Sequence, residues 1–270
     1  MIADQLALIR SALFLPASNA RAIAKARTLS ADMVILDLED AVAADAKPEA
    51  RRAAAGAARE GGFPGLLAVR VNAADSGLQA DDVAALTDTP GVDLIVLPKV
   101  DAAADLAAAR VLGKPMLAMI EGPAGVYAAR EIAGADGVVG LIAGTNDLAA
   151  ALRLPPGACR ENMALVLQSI VLAARASGGI ALDGVWNRLD DPDGFAAECA
   201  AGRALGFDGK TLIHPAQVAP CNRRFGPSDD ELEDARALIA DATGGAERFR
   251  GRMIEAMHVD SARRLVARAG

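Results

Sequence analysis

The chain is poor in the residues on which several function classes depend. Aromatic side chains make up 3% of its 270 residues, with one Trp and one Tyr, so the stacking platforms that hold single-stranded nucleic acid are missing. Basic residues are outnumbered, 28 Lys and Arg against 35 Asp and Glu, and the net charge of −7 gives no electrostatic grip on a phosphate backbone. Nucleic acid is therefore not an expected partner. No apolar run approaches the roughly 20 residues of a membrane span. The opening MIADQLALIR carries Asp4 and lacks a basic segment followed by a long apolar one, so neither a membrane nor a secretory signal is expected, and the expected compartment is the cytoplasm. The three cysteines, Cys159, Cys199 and Cys221, are odd in number and spaced by 40 and 22 residues, which fits neither a disulfide framework nor a zinc motif. With two histidines and no paired Cys, a zinc or iron centre is not expected. Gly-x-Gly and Gly-x-Ser-x-Gly do not occur, which removes the dinucleotide fingerprint and the serine-hydrolase elbow. Gly209-Lys210-Thr211 has Ala204 where a phosphate-binding loop needs its leading Gly.

What the chain does have is a 53% hydrophobic content arranged as short apolar runs between longer Ala-rich stretches. The runs are SALFLP (11–16), MVILDLED (33–40), LLAVRVN (66–72), LIVLPKV (94–100), MLAMIEG (116–122), GVVGLIAG (137–144), GIALDGVW (179–186) and GKTLIH (209–214). Continuous rather than alternating apolarity fits strands covered on both faces, as in a parallel sheet. The segments between them predict helices over 19–30, 47–60, 101–112 and 160–176. Ser18 is placed to cap the first, and Lys47-Pro48 puts Pro in a first turn. Ser228-Asp-Asp-Glu231 is a capping-box pattern opening a helix that stops near Gly244-Gly245, and 252–269 predicts a last amphipathic helix. Eight strands alternating with helices predict an α/β fold, the (β/α)₈ TIM barrel, with a C-terminal helical extension. The division is a TIM-barrel catalytic core over 1–227 and C-terminal helices completing the barrel over 228–270. A doubly wound sheet is the alternative, disfavoured by the missing dinucleotide fingerprint.

In a parallel barrel, chemistry gathers at the C-terminal strand ends, where the βα loops converge. Polar residues collect there: Asp37, Glu39 and Asp40, Arg70 and Asn72, Lys99, Glu121, Asp147, Asp183 and His214. Any single one reads as a solvated loop charge; the set, on one rim, does not. Glu121 and Asp147 follow neighbouring strands, so their carboxylates can face one point. Like charges so close raise each other's pKa unless a cation intervenes, and two carboxylates plus waters and substrate oxygens is a usual way of holding Mg²⁺. The structural alternative has Asp147 only capping the helix beginning at Leu148. Arg70 ends an apolar strand and must reach the mouth or meet an acid. Its planar fork suits a substrate carboxylate, and an internal ion pair with Asp37, Glu39 or Asp40 is the equal alternative.

RSALFLPAS (10–18), DLEDAV (37–42) with Lys47 and Arg51 downstream, VRVN (69–72), LPKV (97–100), MIEG (119–122), NDLAAAL (146–152) and GFDGKTLIHPAQV (206–218), followed by Asn222, Phe225 and Pro227-Ser228, occur in this order. Over nearly all of residues 10–240 the chain resembles the citrate lyase β-subunit-like branch of the HpcH/HpaI aldolase family. The resemblance implies a TIM barrel, Mg²⁺ on Glu121 and Asp147, and Arg70 gripping a substrate carboxylate. It implies a carbon–carbon lyase acting on 3-hydroxyacyl thioesters such as citryl-, malyl- or citramalyl-CoA, releasing an oxo acid and an acyl-CoA. It also implies a homo-oligomer, a trimer or hexamer, with the C-terminal helices contacting a neighbouring subunit. Two positions depart from the pattern: Gly122-Pro123 stands where Thr is frequent, and Asn146 where an acid is common. In the expected mechanism, Asp37, Glu39 and Asp40 supply the base or hold metal-bound waters, and Lys99 or Lys210 meets the CoA tail. The alternatives are a β-subunit working only on a carrier-bound substrate, a malate-synthase-like or thioesterase variant, and a Schiff-base aldolase using Lys99 with its pKa lowered by burial.

Overall fold

The computed structural model describes residues 2–269. Strands β1 (Ser11–Pro16), β2 (Met33–Asp37), β3 (Leu66–Arg70), β4 (Leu94–Leu97), β5 (Met116–Ile120), β6 (Val138–Ala143), β7 (Ile180–Asp183) and β8 (Gly209–Leu212) pair in parallel in chain order, and β8 closes onto β1. Each lies within one of the eight apolar runs. Helices α1 (Ile2–Ala7), α2 (Ala20–Ala26), α3 (Lys47–Glu60), α4 (Gln79–Leu86), α5 (Pro123–Ala133), α6 (Thr145–Ala151), α7 (Ala164–Ala176), α8 (Pro192–Ala204) and α9 (Val218–Phe225) complete the barrel with short 3₁₀ turns. The (β/α)₈ barrel is thus the fold.

Alternate residues of each strand enter two different cores, which is why the runs are apolar throughout. Met33, Ile35, Ala68, Leu94, Val96, Leu117 and Met119 fill the barrel interior. Val34, Leu36, Val69, Ile95, Leu97 and Ile120 pack outward against the helices. Leu6 of α1 and Ile9 after it seal the N-terminal end of the interior. Among the described residues no helix is long and apolar enough to cross a membrane.

Several helical expectations fail locally. Asn19 rather than Ser18 caps α2, its side chain accepting from the Ala22 amide at 3.0 Å, and 160–163 form a 3₁₀ turn ahead of α7. Residues 101–112 form two 3₁₀ turns, 103–106 and 109–112, rather than one helix. The Asp105 carboxylate accepts from the Asp101 and Ala102 amides (2.9 Å each), tightening the first turn, and Gly113 ends the second in the left-handed region at φ +61°. The capping box at Ser228 holds and opens α10 (Asp229–Asp241), but the segment after it is not one helix. A hairpin of β9 (Glu247–Phe249) and β10 (Arg252–Ile254) precedes α11 (Ala256–Ala267). Arg250 and Gly251 both take positive φ, +43° and +83°, the twist a two-residue hairpin turn requires. This C-terminal unit has its own small core, Ala235, Leu238, Phe249, Ile254 and Ala262.

Candidate active site

The strand register assembles the mouth. Asp37 and Arg70 are direct partners across β2 and β3. Ile120 of β5 partners Ala143 of β6, so Glu121 and Gly144 emerge side by side, and Asp147 follows in the first turn of α6. Gly144 is needed here: a Cβ on it would lie 2.3 Å from Glu121 Cγ. A cavity of about 350 Å³ opens at this end. Asp37, Asp40, Arg70, Glu121 and Asp147 all line it, with Phe14, Met119, Thr145, Asn146, Asn187 and Thr211. Glu121 and Asp147, expected to converge, do share this wall. Asp147 is not the N-cap of its helix; Gly144 occupies that position.

The acids on the β2 side have different tasks. Asp37 takes the Arg70 fork, Nε to Oδ1 at 2.7 Å and Nη2 to Oδ2 at 2.6 Å, and also accepts from the Glu39 and Ala41 amides (2.8 and 3.0 Å). With these four donors it is a structural anchor. Both readings of Arg70 therefore meet: the ion pair exists, and the guanidinium still reaches the cavity. Its Nη1 lies 3.0 Å from Glu39 Oε2 and its face stacks on Phe14 at 4.8 Å. Burial works against the Arg70 charge, but Asp37, Glu39 and Glu121 outweigh it and hold the group more firmly protonated than usual. Glu39 is buried between Arg70 and Lys99, and burial raises its pKa against the pull of those cations. Asp40 is the exposed one, its side chain 62% accessible, with Lys99 Nζ at 3.3 Å.

Lys99 is the residue whose geometry the sequence least reveals. It sits at φ +51°, a conformation that costs a non-glycine residue about 1 kcal/mol. The strain turns its amide toward Glu121 Oε2 (3.2 Å) while its ammonium meets Glu39 and Asp40. Burial opposes its charge, yet the two carboxylates prevail and its pKa is raised. The expectation of a Lys99 with lowered pKa is thereby overturned, and the charged ammonium held by two carboxylates disfavours the Schiff-base alternative, which needs a neutral amine. Lys99 also does not line the cavity.

Glu121 is buried, and its pKa is pushed up to about 7, by burial first, then by Glu39 and Asp147, against Arg70 and Lys99. Among the described residues no group of three or more His, Cys, Asp or Glu side chains could hold a metal. A cation here would have the Glu121–Asp147 pair and oxygen from water or substrate. That set fits Mg²⁺, which favours oxygen donors and keeps several waters, and a destabilised carboxylate beside a second one is what a divalent cation relieves.

Several rim residues are structural. Asn72 accepts from Lys47 Nζ (2.7 Å) and donates to Leu38 O and Asp82. Lys47, buried, also donates to Leu38 O (2.8 Å) and Glu39 O (2.9 Å), so it braces the loop that presents Glu39 and Asp40. Arg51 pairs with Asp82 at 2.6 Å. Lys210 is fully buried against Asp183 (2.9 Å) and so cannot meet a CoA tail at the rim; Arg160 joins the same cluster (2.9 Å). His214 Nδ1 accepts from the Ala216 amide (3.2 Å) as a cap. Phe14, Thr145, Asn187 and Thr211 line the cavity without having been expected there. Only Thr145 and Asn187, each shortly after a strand run, stood where a rim residue is sought.

Comparison with known proteins agrees with this architecture. The family model described as HpcH/HpaI aldolase/citrate lyase matches residues 10–215. A (3S)-malyl-CoA thioesterase of Cereibacter sphaeroides is 41% identical, covering 99% of this chain and 97% of that protein. A citrate lyase subunit beta-like protein of Deinococcus radiodurans is 39% identical over 97% of each. The crystal structure of CitE from Mycobacterium tuberculosis in complex with magnesium, acetoacetate and coenzyme A superposes with a TM-score of 0.83 at 34% identity, covering 97% of this chain and 98% of that one. With a closed eight-stranded barrel and a match of this extent, the chain belongs to the HpcH/HpaI aldolase/citrate lyase family.

Proposed function

We propose that the protein acts on the CoA thioester of a short 3-hydroxy dicarboxylic acid, of the malyl-CoA class, with Mg²⁺ held by Glu121 and Asp147, and that it hydrolyses the thioester. The observation that carries the reading is the placing of both carboxylates and the Arg70 guanidinium in one cavity. The choice of hydrolysis follows the (3S)-malyl-CoA thioesterase relative, 41% identical over nearly the whole chain. Bound at this pair, Mg²⁺ supplies Lewis acidity to the hydroxyl and carboxyl oxygens of such an acid.

The chain's own residues then have separate tasks. Arg70, fixed by Asp37 and Phe14, orients the substrate carboxylate and contributes a preorganised charge of the kind worth a few kcal/mol. Asp37 serves by holding Arg70. Asp40, exposed on the cavity wall, takes a proton from the water that attacks the thioester carbonyl; the C–S bond breaks, and the departing CoA thiolate takes that proton from Asp40. Lys99, itself paired with Glu39, holds Asp40 through its ammonium and Glu121 through its amide. Carbon–carbon cleavage is the second reading, favoured by the citrate lyase beta-like relative. In that case Asp40 takes the proton of the 3-hydroxyl, the bond between that carbon and the one beside the thioester carbonyl breaks, its electron pair passes into a thioester enolate, and the enolate carbon takes the proton back from Asp40 as the oxo acid and the acyl-CoA leave. On the family resemblance we also propose a homotrimer or hexamer with 228–270 against a neighbouring subunit, which light scattering tests, and on composition a cytoplasmic protein, which fractionation of cells tests.

The deciding experiment supplies malyl-CoA and Mg²⁺ to the purified chain. Hydrolysis releases free CoA thiol and malate; cleavage releases glyoxylate and leaves the thioester intact as acetyl-CoA. Glu121→Ala and Asp147→Ala abolish either reaction with unchanged circular dichroism. Full turnover in either variant, or in excess EDTA, contradicts the metal reading. Turnover only on a carrier-protein thioester makes the chain a subunit of a complex.

A further inference from the structure

The end of the barrel opposite the mouth holds a cavity of about 610 Å³ that the proposed reaction does not use. It lies where α1, the C-terminal ends of α7 and α8, and α11 meet. Four arginines line it, Arg175, Arg203, Arg264 and Arg268, and among the described residues the only acid on its wall is Asp208. Two of the four are committed. Arg175 pairs with Asp208 at 2.8 Å and donates to the Gly179 and Gly206 carbonyls (3.0 and 2.7 Å); Arg203 pairs with Glu231 at 3.0 Å.

The other two have donors to spare. Arg264 is exposed and gives one hydrogen bond, to Ser261 Oγ at 2.8 Å, with no ion pair among the described residues. Arg268, one helical turn further on, donates from Nη2 to the carbonyls of Ile9 (2.9 Å) and Asp208. Its Nη1 is only 3.8 Å from the Asp208 carboxylate, which Arg175 already occupies. Its Nε is buried without an acceptor. Burial lowers the Arg268 pKa, and Arg203 and Arg10 add to the effect against Asp208 and Asp32. Like charges one turn apart on a helix repel, and a buried guanidinium donor without a partner costs free energy. A multiply charged oxyanion in the cavity would offset the two like charges, pairing bidentately with the free fork of Arg264 and meeting Nη1 of Arg268.

We propose that this cavity binds a di- or triphosphate anion, free or carried on a nucleotide. Its volume lies in the range of sites for small organic ligands, and Leu8, Phe207 and Leu265 provide an apolar side. The ligand would join α11 to the closed end of the barrel, independently of the chemistry at the mouth.

The test titrates ADP and inorganic pyrophosphate into the full-length protein by calorimetry, at low salt and in EDTA. Parallel titrations use Arg264→Glu, Ser261→Asp and, as a control on the mouth, Asp147→Asn. The expected result is one equivalent bound by wild type and Asp147→Asn alike, at least tenfold weaker in Arg264→Glu and Ser261→Asp, and weakened by added NaCl. Tighter ADP than pyrophosphate assigns the apolar wall to the base; equal binding assigns the site to the phosphates alone. Ser261→Asp adds an opposing charge without deleting a guanidinium, so it stands if Arg264→Glu fails to fold. No binding at millimolar ligand, full binding by the folded charge variants, or loss in Asp147→Asn overturns the proposal.

Discussion

The elevated Glu121 pKa makes a quantitative prediction for the metal-free protein. In the unfolded chain this carboxyl titrates near its ordinary 4.5; in the folded chain burial, then Glu39 and Asp147, hold its proton up to about 7. Between those pH values the folded state binds more protons than the unfolded one, so stability from this group falls as pH rises through the interval. At about 1.4 kcal/mol per pH unit, the loss amounts to about 3 kcal/mol as an order of magnitude. Urea unfolding in EDTA from pH 4.5 to 8, run on wild type and Glu121→Gln, isolates it. The stability difference, wild type minus variant, should drop by about that amount and level off above pH 7. Saturating Mg²⁺ should reverse the trend, because the cation requires the deprotonated carboxylate and its stabilisation grows as the proton leaves. A difference that is flat with pH, or indifferent to Mg²⁺, refutes the placing of a destabilised, metal-ready carboxylate at residue 121.

Three other outcomes follow from the same geometry. Lys47→Met leaves the Leu38 and Glu39 carbonyls and Asn72 without their shared donor; it should cost about 2–3 kcal/mol in urea unfolding and lower kcat while Mg²⁺ affinity holds. Gly144→Ala drives a Cβ against Glu121 and should weaken Mg²⁺ at least tenfold by calorimetry in a protein whose circular dichroism is unchanged. Borohydride added with an oxo acid should leave no adduct on Lys99 by mass spectrometry, since Glu39 and Asp40 hold its ammonium charged; a trapped adduct restores the imine mechanism.

The barrel was legible because burial on both faces of a parallel strand writes continuous apolar runs, and all eight strands lie inside them. Ser228 and Glu231 fixed a helix start in the same direct way, since a capping box is a local bargain between backbone and side chain. Local signals failed where something distant or conformational decided. Alanine-rich 101–112 favours a helix by propensity, yet Asp105 and the short crossing from β4 to β5 break it into two turns. Arg250-Gly251 makes a hairpin turn without the Asn-Gly pair that signals one. At the mouth, Glu121, Asp147, Arg70 and Asp40 could be named because charges at the ends of apolar strands need a reason. That Asp37 consumes the Arg70 fork depends on register, and the turned Lys99 amide depends on a backbone angle; neither has a sequence signature. Phe14 and Thr211 resemble ordinary strand residues until the ring closes.

The most direct measurement is the anomalous difference map of a crystal soaked in Mn²⁺ as a stand-in for Mg²⁺. One strong peak is expected within coordination distance of both the Glu121 and Asp147 carboxylates and facing Arg70, lost in Asp147→Asn. A well-ordered mouth with no peak there, or a metal held by other residues, contradicts the placing of the cation at this pair.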